Sequence, residues 1–306
     1  MEQMDVSEPN QPLIDAKVYN SEEEFMNQVK NIPFASEGLE DLRNSPTAVV
    51  YFNVPCCTLK CAYPINPLFK CDFSNCLDDY TYHTLIGNSG ELKYLYKSQG
   101  RLDCKICPLD LFCRFAHVKS SNIASVDQIS SSEAGTESVE MLKEDNCTFC
   151  GMCSLFFPVN TKPSNTTIGF VKYRGFCENL CENICFPCIR CISLCKQCPC
   201  NPCNFICDYF YVCDVCSPEK QVVYSIYLKR CCIVCCPLDC LNSLSFSIRD
   251  ASGKDVGGIE LKRTCCVCNG LRGKNCTYTI QFPNDATPEL KLTIINAVIS
   301  IDMFLF

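Results

Sequence analysis

The chain has 306 residues, 47% of them hydrophobic, with 32 cysteines and no tryptophan, which is enough apolar material for one large or two ordinary domains with a sizeable core. Its formal net charge is −7, and residues 1–45, with 10 acidic and 3 basic residues, carry all of it. The remainder is neutral and has no basic block, which argues against a nucleic-acid partner, whose footprint is clustered Lys and Arg.

Residues 1–20 are acidic and poor in large apolar side chains, so they read as a disordered arm that is neither a signal nor a transit peptide. The expectation is a chain that begins in the cytosol, where thiols stay reduced and open to metals or acylation. The glycosylation sequons at Asn146, Asn165 and Asn275 then read as chance. Ser21 and Glu24 form a capping box ahead of Phe25, Met26 and Val29, which predicts a short amphipathic helix over Glu22 to Lys30 docked on whatever follows.

From Pro46 the pattern changes to short β-branched and aromatic runs bounded by turn residues. Strands are predicted at Ala48 to Val54, Tyr80 to Ile86, Leu92 to Tyr96 and Leu111 to Val118, with Asn88-Ser89-Gly90 as a hairpin turn. A Ser-rich stretch without period is expected to be a surface loop over 119–140. Strand signals resume at Thr167 to Tyr173, Asp208 to Val212, Gln221 to Leu228, Ser243 to Arg249, Asp255 to Lys262 and Thr277 to Phe282. About ten strands result, a number that fits a closed antiparallel barrel of up to twelve, since closure removes exposed edges.

The last stretch, Leu290 to Phe306, is apolar on nearly every side of a helical wheel. Spanning a bilayer takes roughly 20 apolar residues. This run is shorter and is interrupted by Lys291, Thr293, Asn296, Ser300 and Asp302, so the expectation is a helix wrapped by protein, its polar side chains meeting partners inside. The two histidines, His83 and His117, each fall in a strand signal, and no nucleophile triad, phosphate loop or metalloprotease motif occurs. Chemical catalysis is not expected.

The cysteines leave three chemistries open. Cys177, Cys181, Cys185, Cys188, Cys191, Cys195 and Cys198 recur at helical spacing within an insert over 176–206. They could be acylated, a stable lipid anchor needing several chains. They could hold zinc, the paired C-x2-C units at Cys185/Cys188 and Cys195/Cys198 matching tetrahedral thiolate sites. Or they could be small buried apolar residues without chemistry.

The C-terminal residues Ile280-Gln281-Phe282-Pro283, Asp285, Lys291, Ala297 and Ile301-Asp302 resemble the phospholipid scramblase family. The stretch Ile248 to Ile259, with its Asp250-Ala251-Ser252-Gly253-Lys254 turn, and Cys231-Cys232-Ile233-Val234-Cys235-Cys236 extend the resemblance, and Ile168-Gly169-Phe170-Val171 and Tyr209 to Val212 match more weakly. It covers roughly Tyr80 to Phe306 with insertions, and the insert over 176–206 has no counterpart in that family.

What the resemblance implies is a tubby-like domain over 46–306, a barrel of up to twelve strands threaded by the C-terminal helix, following an acidic arm over 1–45. It implies energy-independent movement of phospholipids between leaflets at the cytoplasmic face of the plasma membrane, with membrane phospholipids as partners. It implies acylation where Cys147, Cys150 and Cys153 stand, best at the latter two, with Cys231, Cys232, Cys235 and Cys236 as further candidates. It implies a calcium loop whose aspartate positions here are Lys274, Cys276 and Asp285; calcium wants six to eight oxygens, so only Asp285, helped by Asn284, remains suited. Both residues are otherwise expected to cap the final helix. If that helix spanned a bilayer, Lys291, Asn296, Ser300 and Asp302 would have to form the polar track for lipid headgroups; if it is sealed, an acylated lipid-binding or tethering adaptor, or a zinc-organised interaction module, is the alternative.

Overall fold

The computed structural model describes residues 22–35, 38–53, 80–88, 91–104, 114–122, 125, 137–142, 154–174, 209–229, 243–263 and 275–305. Two short helices, α1 (Glu22–Val29) and α2 (Leu39–Arg43), precede twelve strands. These are β1 (Thr47–Asn53), β2 (Tyr80–Asn88), β3 (Glu91–Cys104), β4 (Arg114–Asn122), β5 (Glu137–Leu142) and β6 (Leu155–Thr161). Then come β7 (Thr166–Tyr173), β8 (Tyr209–Cys216), β9 (Val222–Lys229), β10 (Ser243–Asp250), β11 (Asp255–Arg263) and β12 (Asn275–Gln281), and last a long helix, α3 (Pro288–Leu305).

Each strand pairs antiparallel with the next, and β12 returns to β1 in the register Thr47↔Gln281 to Asn53↔Asn275, closing the barrel. The expected architecture is therefore the observed one, with two strands more than the strand signals locate. The Ser-rich stretch is not one loop, because β4 runs on to Asn122 and β5 begins at Glu137. Leu155–Thr161 carries a strand despite Pro158. Pairing with β5 stops at Val159, so the missing N–H of Pro158 takes nothing from a ladder on that side.

Alternation sorts the side chains as a barrel requires. Ala48, Val50 and Phe52 of β1 point into the bore, together with Phe246 and Ile248 of β10 and Tyr278 and Ile280 of β12. There they enclose α3, whose Leu292, Ile294, Ile295, Ala297, Val298, Ile299 and Ile301 are all buried. Each full aliphatic burial contributes about 1.5–3 kcal/mol, so the helix works as the core of the barrel.

Val49 and Tyr51 point outward instead, with Leu85 and Tyr94, and α1 covers them with Phe25 and Val29. Phe25 stacks on Tyr51 at 4.2 Å between ring centroids and lies 5.0 Å from the His83 ring. His83 is sealed in this second core, its Nδ1 2.8 Å from the Tyr94 hydroxyl. Burial, with Lys97 adding repulsion, pushes its pKa down to about 3.

The unfolded chain binds that proton near pH 6.5 and the folded one only near pH 3, so His83 gives stability that is complete above about pH 6.5 and lost as pH falls toward 3. At about pH 4.5 the loss is expected to be on the order of 2 kcal/mol. His83→Gln should remove that part of the acid sensitivity, read as the change in urea midpoint between about pH 7 and about pH 4.5 against the parent protein. Equal changes in both proteins would show that His83 is not the group.

Candidate functional site

Two sets of residues stand out, one inside the bore and one at a rim of the barrel. Inside, the polar positions predicted along α3 are all buried. Lys291 donates to the carbonyls of Leu42, Arg43 and Ser45 at 3.2, 2.9 and 2.9 Å, using its ammonium to close the C-terminal end of α2. It also lies 5.6 Å from the Phe282 ring centre, and burial lowers its pKa.

Asn296 donates to the Leu292 carbonyl at 3.0 Å. Ser300 lies 2.7 Å from the Tyr173 hydroxyl and donates to the Ala297 carbonyl. Asp302 accepts from the hydroxyls of Tyr278 at 2.5 Å and Tyr82 at 3.3 Å. These side chains belong to the interior of one sealed unit, as expected of a helix wrapped by protein. Among the described residues, no helix is long and apolar enough to cross a membrane.

The helix start corrects one expectation. Thr287, not Asn284 or Asp285, meets a free amide of the first turn, accepting from the Leu290 N–H at 3.4 Å, and Pro288 supplies a first residue that has no amide to satisfy. Asp285 accepts from the Tyr224 hydroxyl at 3.0 Å, while Asn284 is exposed beside it. Cys276 stands at the other end of β12, buried in the bore.

Because the strands alternate in direction, every connection after an odd-numbered strand leaves and returns at one rim, and every connection after an even-numbered strand lies at the opposite rim. Of the 32 cysteines, all except Cys104, Cys213, Cys216 and Cys276 fall in the connections of the first rim, and the connections of the opposite rim contain none. The acylation candidates Cys147, Cys150, Cys153, Cys231, Cys232, Cys235 and Cys236 belong to this set. So do the zinc candidates Cys185, Cys188, Cys195 and Cys198. All of these lie outside the described residues. Helix α3 runs toward the same rim and ends there at Leu305.

On the outer wall beside this cysteine-bearing rim is a cluster that no linear motif announces. Arg174 makes a two-pronged ion pair with the wholly buried Asp214, at 2.8 and 2.9 Å, and Asp214 also accepts from Ser225 at 2.7 Å. The guanidinium is held 4.2 Å over the Tyr211 ring, and the Tyr211 hydroxyl donates to the Lys172 carbonyl at 3.2 Å. Tyr227 packs edge-on against Tyr211 at 5.8 Å, and Lys172 sits 5.4 Å over Phe156. Burial, with Asp214 adding to it, raises the Tyr211 pKa, so the phenol stays neutral. The same two causes, joined by Cys216, raise the Cys213 thiol well above its ordinary value, which makes it a poor source of thiolate.

The geometry thus defines a closed antiparallel β-barrel around a buried helix, with aromatic and basic side chains beside the rim at which the cysteine-bearing connections leave and return. No protein-family model, curated protein or solved structure matches the chain.

Proposed function

We propose that this protein is a phospholipid scramblase of the cytoplasmic face of the plasma membrane, an acylated barrel that lets phospholipids pass between leaflets without energy input. The observation that carries this reading is the architecture. A closed twelve-strand barrel threaded by the helix that bears Lys291, Ala297 and Ile301-Asp302 is what the resemblance to scramblases, with their tubby-like domain, implies. The gathering of cysteine-bearing connections at one rim supports the anchoring part. One acyl chain binds a membrane only marginally, whereas several leaving from one face would hold the barrel end-on.

A sealed α3 offers headgroups no track along Lys291, Asn296, Ser300 and Asp302, so exchange would take place where the rim disturbs the bilayer. The same observation favours a second reading, a lipid-bound tethering adaptor without translocation. Calcium is expected to matter little, since Asp285 and Asn284 are what remains of the loop and Lys274 and Cys276 supply no oxygen from their side chains.

The test is translocation of a fluorescent phospholipid by the purified full-length protein in liposomes, with and without calcium. Scrambling above protein-free liposomes, similar in both conditions, is the expected result. Folded, vesicle-bound protein that moves no lipid would sink the scramblase reading and leave the adaptor.

A further inference from the structure

Residues 22–35 lie across the outer wall of β1 to β3 as a strap, and two sets of contacts hold them there. The first is backbone. Strand β4 pairs with β3 from Tyr96 to Cys104, so the earlier part of β3 has a free edge, and the strap takes it. Tyr94 donates to the Pro33 carbonyl at 2.9 Å and accepts from the Ala35 N–H at 2.8 Å, in a parallel bridge. The second is apolar, Phe25 and Val29 of α1 covering Val49, Tyr51, Leu85 and Tyr94. An eight-residue helix is well below the length that holds itself in water, so α1 owes its order to this contact.

His83 lies under the strap, 2% exposed. The Phe25 ring of α1 is 5.0 Å and the Tyr51 ring of β1 6.2 Å from the imidazole, and the Tyr94 hydroxyl of β3 is 2.8 Å from Nδ1. Lys97, opposite His83 in the register of β2 and β3, adds a like charge. On α1, Glu23 is exposed and Glu24 half-buried; burial and Lys97 are what act on the ring. An imidazolium here needs water, and the strap is a cover that can lift without opening the barrel, because the bore core around α3 shares no residue with the core beneath α1.

We propose that the strap is an acid-released latch: protonation of His83 lifts residues 22–35 off β1 to β3 while the barrel stays closed, so that a fall in pH uncovers the apolar wall of Val49, Tyr51, Leu85 and Tyr94. The device is distinct from acid unfolding of the whole chain, since what opens is one short helix and the edge bridge behind it.

The test is amide hydrogen exchange of the full chain at about pH 7 and about pH 5, each rate referred to that of an unprotected amide at the same pH. With the uncovered ring titrating near pH 6.5 and the covered one near 3, opening is expected to become about 25-fold more frequent at the lower pH. Protection of the Lys30, Ile32, Ala35 and Tyr94 amides should fall by that factor, and at both pH values it should stay at least about ten-fold below that of β10 and β11, the mark of opening without the barrel. In His83→Gln the step between the two pH values should vanish. Strap amides as well protected as those of β10 and β11 overturn the latch, because the strap then opens only with the barrel. So do strap amides already unprotected at about pH 7, a parent protein without the step, or an equal step in His83→Gln.

Discussion

Lys291→Met is expected to lower the melting temperature by about 6–12 °C, a loss on the order of 3 kcal/mol for a domain of this size. Lys291 is a cation buried at the start of a largely apolar helix, and the stability it gives comes from what it covers. Three carbonyls, those of Leu42, Arg43 and Ser45, converge on its ammonium within 3.2 Å. An ammonium has three protons to donate, so the match is complete. Methionine keeps most of the stem and its packing but takes the ammonium away from the carbonyls of Arg43 and Ser45, while that of Leu42 keeps the Ser45 N–H, and a buried acceptor stripped of its partner costs about 1–3 kcal/mol. The desolvation penalty on the ammonium, visible as its lowered pKa, disappears with the charge and offsets part of that loss. Because Lys291 ties α3 to α2, protection of the amides of residues 39–45 from hydrogen exchange should fall further than that of β9 and β10. A variant that melts with the parent and protects α2 equally well would show that the lysine is tolerated in the bore but does not hold α2.

How much of this was legible in the sequence depends on whether the signal was local. Helix α3 was readable because burial on all sides leaves an apolar wheel, and two of its polar interruptions, Ser300 and Asp302, meet hydroxyls from β7, β2 and β12, while Thr293 and Asn296 bond back to carbonyls of their own helix. Strands β5 and β6 were not readable. In β5 only Val139 and Met141 are seen to face the core, within an acidic and serine-rich surrounding, and in β6 the proline masks a strand whose partner on one side stops short of it. With five residues, α2 is too short to show a period. Omitting β5 and β6 together leaves the direction of every other strand unchanged, so the gathering of cysteine-bearing connections at one rim follows from a simple meander and could have been drawn from the strand list. The Arg174 cluster could not. Its ion pair joins residues 40 apart in sequence across neighbouring strands, and only the register of β7 against β8 brings them together. The acylation and zinc candidates lie outside the described residues, so those alternatives stand where the sequence left them.

Two glycines mark close approaches in the barrel, one against α3 and one against the end of β12, and they should respond differently to the same change. A Cβ at Gly169 would stand 2.6 Å from Thr293 Oγ1 and 2.9 Å from the Cys216 carbonyl oxygen, one a side chain of α3 and the other backbone of β8. Gly169→Ala is therefore expected to cost about 2–3 kcal/mol, as overpacking of a filled core does. Thr293→Ala in the same chain should recover roughly 1 kcal/mol of it, a coupling read from a double-mutant cycle of urea unfolding. Full recovery is not expected, because the Cys216 carbonyl remains. At Gly257 the Cβ would stand 2.6 Å from the Gln281 carbonyl oxygen and 3.2 Å from the Pro283 nitrogen, where β12 turns toward α3. Backbone cannot rotate away as a side chain can, so Gly257→Ala is expected to cost more than Gly169→Ala and to find no relief in a single side-chain deletion. If Gly169→Ala proves neutral, or if Thr293→Ala fails to couple with it, then β7 does not rest directly on α3, and the sealed bore that removes a lipid track from the helix loses its firmest contact.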